Sequence, residues 1–137
     1  MLLKKFFVVV LLSIILSACG GQTNSGGSPS VASVGDPASG KTLFEQPTIG
    51  DNAPGCITCH STEPGQVIVG PSLTGVATRA AGQVKGQMAA EYLRNSILTP
   101  NAYVVNGFPA DVMYQNYKGV LTDKQLKDLV AYLLTFK

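Results

Sequence analysis

The sequence predicts a small all-α domain with long connecting loops, and three observations lead there. Helix signals stand at both ends of the region that can fold: Asp36 followed by Pro37, and Thr122 followed three residues on by Gln125. The last segment repeats apolar residues at helical spacing, with Leu126, Leu129, Val130, Leu133 and Leu134 on one face. No stretch sustains the alternation expected of a sheet.

Composition bounds the rest. A chain of 137 residues holds one domain with appendages. With 45% hydrophobic and 13% charged residues, it is not a wholly disordered chain. The formal charge of +2 includes Lys4 and Lys5. Both lie in a segment expected to be removed, and its loss leaves eight basic residues against eight acidic ones. A neutral mature chain has no electrostatic footprint for nucleic acid, so that class of partner is set aside.

The N-terminus reads as an export signal. Lys4 and Lys5 precede an apolar run over residues 6–16, interrupted by Ser13. A membrane-spanning helix needs about 20 apolar residues, and this run has roughly half of that. It ends in Leu16-Ser17-Ala18-Cys19, which resembles the lipobox of bacterial lipoproteins. That resemblance implies removal of residues 1–18, a lipid on Cys19, and anchorage at the outer face of a bacterial membrane. Residues 19–35 then form the lipidated cysteine and a Gly/Ser-rich tether, uncharged and nearly free of bulky apolar groups. Such a tether has an r.m.s. reach of about 20–24 Å.

Residues 36–137 are the expected folded domain. Asp36 caps a first helix that runs to about residue 46, before Pro47. A middle helix is expected over residues 88–98, stopped by Pro100. The last starts at Thr122, with Gln125 completing a capping box. Residues 47–86 and 99–121 are left as long loops without regular structure. Loops of that length are uncommon unless something organises them, and a large buried cofactor would.

Cys56-Ile57-Thr58-Cys59-His60 supplies the chemistry of such a cofactor. C-x-x-C-H is the attachment pattern of c-type haem. On one helical turn, thiols three residues apart lie on the same side and can each take up one haem vinyl group as a thioether. The adjacent imidazole then meets the iron. Three other readings compete. A zinc site would need further thiol or imidazole ligands, but His60 is the only histidine and Cys19 the only other cysteine. A thioredoxin-like redox pair would want a βαβ context. A disulfide across two residues would close too small a loop to stabilise much.

From about residue 38 to the end, the chain resembles a class I cytochrome c domain. The resemblance rests on Gly40 and Phe44, on the C-x-x-C-H motif and on Gly70-Pro71-Ser72-Leu73-Thr74-Gly75. Met113 in a loop and Leu129-Val130-Ala131-Tyr132-Leu133 in the last helix match as well. It implies the small cytochrome c fold: helices wrapped around one covalent haem c, the first and last crossing near Gly40 and Tyr132. It implies that Met113 is the distal ligand of the iron, opposite His60, and that the Pro71 carbonyl lies near the haem histidine. Met88, the other methionine of the mature chain, reads as helix surface or core filler. The family often has Pro after the distal Met, whereas Tyr114 follows here. Leu73, Tyr92, Leu93, Ile97, Phe108 and Val112 are expected to line the haem. Arg79 reads equally as a propionate partner or as a solvated loop residue.

Two protein ligands leave no room for substrate at the iron, so the expected role is electron transfer and not catalysis. Two ionised propionates would take the neutral chain to about −2, too little for strong steering of partners. The expected partners are donor and acceptor proteins in a respiratory or photosynthetic chain, with the lipid on Cys19 holding the domain at the membrane. The C-terminal half is similar to cytochrome c subunits of quinol-oxidising complexes, including alternative complex III, and of haem–copper oxidases. Two alternatives stand beside this reading: a haem-based sensor with an open distal site, and a thiol–disulfide lipoprotein without haem.

Overall fold

Asp36 begins the regular structure. In the computed structural model, which describes residues 35–137, its carboxylate accepts hydrogen bonds from the backbone N–H groups of Ala38 and Ser39. These are two of the donors a helix start leaves unpaired. Helix α1 then spans Pro37–Phe44. It ends two residues short of the expected stop. Pro47 disfavours helical backbone in the residue before it, and the last turn has already tightened at Glu45 and Gln46. The signal segment, Cys19 and the tether lie outside the described residues.

The first long loop is less bare than its sequence suggests. Strands β1 (Thr48–Ile49) and β2 (Ala53–Pro54) form a two-residue antiparallel ladder. A single 3-10 turn follows at Cys56–Thr58. Helix α2, Val76–Gln83, then falls inside a stretch read from sequence as irregular. Its start carries no capping side chain, because the position before it is Gly75 in the left-handed region, φ 67°. Val76 and Ala80, four apart, are its only buried residues. So short and faint an apolar stripe gives little periodicity to detect.

Helix α3, Ala89–Leu98, starts one residue later than expected, with Met88 at its cap. Helix α4, Asp123–Leu133, has the predicted capping box in full: Thr122 accepts from Gln125 N–H while the Gln125 side chain bonds back to Thr122. Between α3 and α4 lie only two short 3-10 turns, Pro100–Ala102 and Tyr117–Gly119. Among the described residues the fold is thus four α-helices with one tiny ladder, in keeping with the all-α class expected from the sequence.

Helices α1 and α4 cross at Gly40. A Cβ there would lie 1.9 Å from the Asp128 carbonyl oxygen and 2.8 Å from Tyr132 Cβ. Only glycine lets the backbones approach this closely. Phe44 meets Tyr132 edge to face at 5.5 Å beside that crossing, and Tyr132 meets Phe136 at 4.9 Å. Phe44, Ile49 and Leu129 are the largest fully buried side chains. Asp128 is buried there too. Its carboxylate accepts from Asp36 N–H at 2.8 Å and from Lys124 Nζ at 2.7 Å, tying the start of α1 to α4. No helix among the described residues is long and apolar enough to cross a membrane.

Candidate functional site

The interior is hollow beside this crossing. A cavity of about 540 Å³ opens between α2, α3, α4 and the two long loops, and its wall is predominantly apolar. Cys56, Cys59, His60, Pro71 and Met113 all line it. So do the six residues expected to surround a cofactor: Leu73, Tyr92, Leu93, Ile97, Phe108 and Val112. Met88 does not; it is 75% exposed.

The hairpin of β1 and β2 delivers the chain to the C-x-x-C-H motif. The Cys56 carbonyl accepts from Cys59 N–H at 3.2 Å and from His60 N–H at 2.9 Å. A tight turn of this kind stacks residues three apart, which puts both thiols on one side. Both cysteines are unbridged. Burial pushes the Cys56 thiol up to about 11, the opposite of the activation a thiol–disulfide enzyme requires.

The chain then loops back over His60. Val69 N–H and Gly70 N–H both donate to the Cys59 carbonyl, at 3.2 and 2.8 Å. That draws Gly70 and Pro71 against the imidazole, and the Pro71 carbonyl accepts from His60 Nδ1 at 2.9 Å. Proline has no N–H and this carbonyl belongs to no ladder, so it is free to serve the ring. Gly70 is required by the close approach: a Cβ would lie 2.5 Å from His60 Cε1. Burial holds the imidazole below its ordinary pKa, partly offset by the bond to Pro71. A neutral ring with its proton on Nδ1 presents Nε2 as a lone pair for a metal.

Leu73 N–H and the Thr74 hydroxyl bind the carbonyls of Ser61 and Thr62, and the Ser72 hydroxyl binds that of Glu63. Arg79, left open by the sequence, lines the cavity while its guanidinium donates to the carbonyls of Ser72 and Thr74. It therefore braces the loop carrying Pro71. Residues that sequence reasoning missed stand on the far walls. Gln83 of α2 accepts from the Tyr103 hydroxyl at 3.0 Å. Tyr103 packs edge to face on Tyr92, and Tyr114 on Tyr117. Tyr117 donates to the Pro54 carbonyl at 2.6 Å.

A haem fits this donor set. Two thiols, one neutral imidazole and one thioether share a single apolar cavity, and the hydroxyl of Ser96 in its wall is buried with no protein partner. A planar apolar group with a few polar substituents satisfies both features. Fold and site together define a protein of the covalent-haem class.

Comparison with known proteins gives the family. The cytochrome c family matches over residues 37–137. A cytochrome c2 of Blastochloris viridis is 30% identical over 112 residues, spanning 77% of this chain and 81% of that protein. A cytochrome c2 of Rhodoblastus acidophilus is 41% identical over 66 residues, spanning 47% of this chain and 53% of that protein. The chain belongs to the cytochrome c family. It is accordingly an electron-transfer protein with one covalently bound haem c.

Proposed function

We propose that the protein is a lipid-anchored monohaem electron carrier of the bacterial envelope, with His60 and Met113 as the two protein ligands of its iron. The observation that carries this reading is the convergence of Cys56, Cys59, His60 and Met113 on one apolar cavity. Bound there, the haem supplies one-electron exchange at its iron.

The chain's own residues do the rest. Cys56 and Cys59 attach the group, and His60 is held in one orientation and tautomer by Pro71. His60 and Met113, which line the same cavity, would both hold the iron and leave no room there for substrate or gas. A thioether ligand raises the reduction potential. The predominantly apolar wall would surround the bound group with few polar neighbours.

Partners are redox proteins, and the donor we favour is a quinol-oxidising respiratory complex. Eight basic against eight acidic residues in the mature chain give little long-range steering. A lipid on Cys19 replaces it by confining carrier and partner to one membrane surface. Replacing residues 1–19 with an ordinary cleavable signal peptide that carries no lipid-attachment cysteine tests this. The wild type should sediment with membranes and be reduced there on addition of quinol. The variant should be released with its haem intact and be reduced far more slowly. A variant that stays membrane-bound, or a wild type that quinol does not reduce, contradicts the anchor or the donor respectively.

A further inference from the structure

Met113 lies in the long connection between α3 and α4, and from residue 110 to residue 121 no proline stiffens it. Two side chains restrain it instead. Asn101 Nδ2 donates to Asp111 Oδ1 at 2.6 Å, and Asp111 backbone N–H donates to Asn101 Oδ1 at 3.0 Å. One planar amide thus gives and receives with a single residue ten positions away, which fixes orientation as well as distance. Asp111 is the only non-glycine residue with positive φ among the described residues, at 63°. Aspartate is one of the few side chains that tolerate this region.

The clasp is anchored at its other end. Thr99 donates to the Asn95 carbonyl of α3 through both its N–H and its hydroxyl, at 2.8 and 2.9 Å. Asn101 sits in the turn that follows directly. Beyond Met113, Gln115 Nε2 donates back to the Met113 carbonyl at 2.6 Å. Asn101, Asp111, Met113 and Gln115 all line the cavity.

We infer that Asn101 and Asp111 are positioning residues for the distal ligand: their reciprocal bonds fasten the Met113 loop to the end of α3 and hold the thioether at the iron. This rests on the reading of Met113 as that ligand. A loop fastened during folding has already met its ordering cost, so nearly all molecules are competent to ligate. Releasing the clasp lets the loop sample open states in which the sulfur is away from the iron.

The probe is imidazole added to the oxidised holoprotein. Imidazole competes with the methionine sulfur, and its binding is read as loss of the weak red-edge band of Met–Fe(III). Asn101→Ala and Asp111→Gly should each tighten apparent imidazole binding about tenfold, as a larger open fraction demands. The double variant should bind no tighter than either single one, because both break the same interaction. Asp111→Asn keeps an acceptor oxygen and tolerates positive φ, so it should stay within about twofold of wild type. Met113→Ala, measured in parallel, separates the two claims. If that variant retains the band, the ligand reading fails and the inference with it. If it loses the band while both clasp variants bind imidazole as the wild type does, the inference alone is overturned.

Discussion

The carbonyl oxygen of Pro71 lies 2.9 Å from Nδ1 of His60 across a cavity wall that both residues line. The contact follows from short-range causes. The Cys59 carbonyl takes two N–H groups from Val69 and Gly70, and Gly70 lacks the side chain that would collide with the ring. A histidine held in this way has one tautomer and one free lone pair.

Gly70→Ala attacks that relationship directly. The new Cβ would stand 2.5 Å from His60 Cε1 and 2.9 Å from Nδ1, so the ring would have to shift from its bond to the Pro71 carbonyl. Overpacking of this kind costs about 2 kcal/mol, or roughly 10 °C in a domain of this size. Thermal unfolding of the holoprotein should show that loss, and the visible spectrum should change with it.

Gly40→Ala should be the more damaging glycine substitution. Its Cβ would lie 1.9 Å from the Asp128 carbonyl oxygen, which is backbone and cannot rotate away. Helices α1 and α4 would have to separate, at a cost of about 3 kcal/mol or more. Denaturant titration of the holoprotein measures it.

Asp128 makes stability depend on pH in one direction. The hydrogen bond from Lys124, then that from Asp36 N–H, hold its carboxyl below the ordinary 3.8. A depressed folded-state pKa contributes stability that is fully present above the unfolded value and is lost as pH falls through the folded one. Asp128→Asn should therefore unfold below the wild type at neutral pH. The gap should narrow below about pH 4, as the wild-type carboxyl is protonated. Melting curves taken from pH 7 to pH 3 decide the sign.

Tyr117→Phe removes the hydroxyl that donates to the Pro54 carbonyl at 2.6 Å but keeps the ring packed on Tyr114. The expected loss is about 1 kcal/mol, because one part-buried acceptor is left unpaired. Reversible denaturation should register this, while the absorption spectrum stays that of the wild type.

Much of the fold was legible because its signals are local. Asp36 with Pro37, and Thr122 with Gln125, announce helix starts within four residues, and the structure uses both caps. Cys56, Cys59 and His60 are local for the same reason: five consecutive residues hold the motif. Helix α2 was hidden, since Gly75 offers no capping side chain and the helix buries only Val76 and Ala80. Strands β1 and β2, two residues each, are too short to show alternation. The bracing role of Arg79 and the pairing of Asn101 with Asp111 depend on where loops return, which no residue spacing encodes.

The most direct test of the central claim is the absorption spectrum of the oxidised and reduced protein, made in cells competent for cytochrome c maturation, beside Met113→Ala and Met88→Ala. Wild type and Met88→Ala should show c-type haem bands with the weak red-edge band of a methionine bound to Fe(III). Met113→Ala should keep the haem bands and lose the weak one. A wild type without covalently bound haem, or a red-edge band that survives in Met113→Ala, would contradict the account.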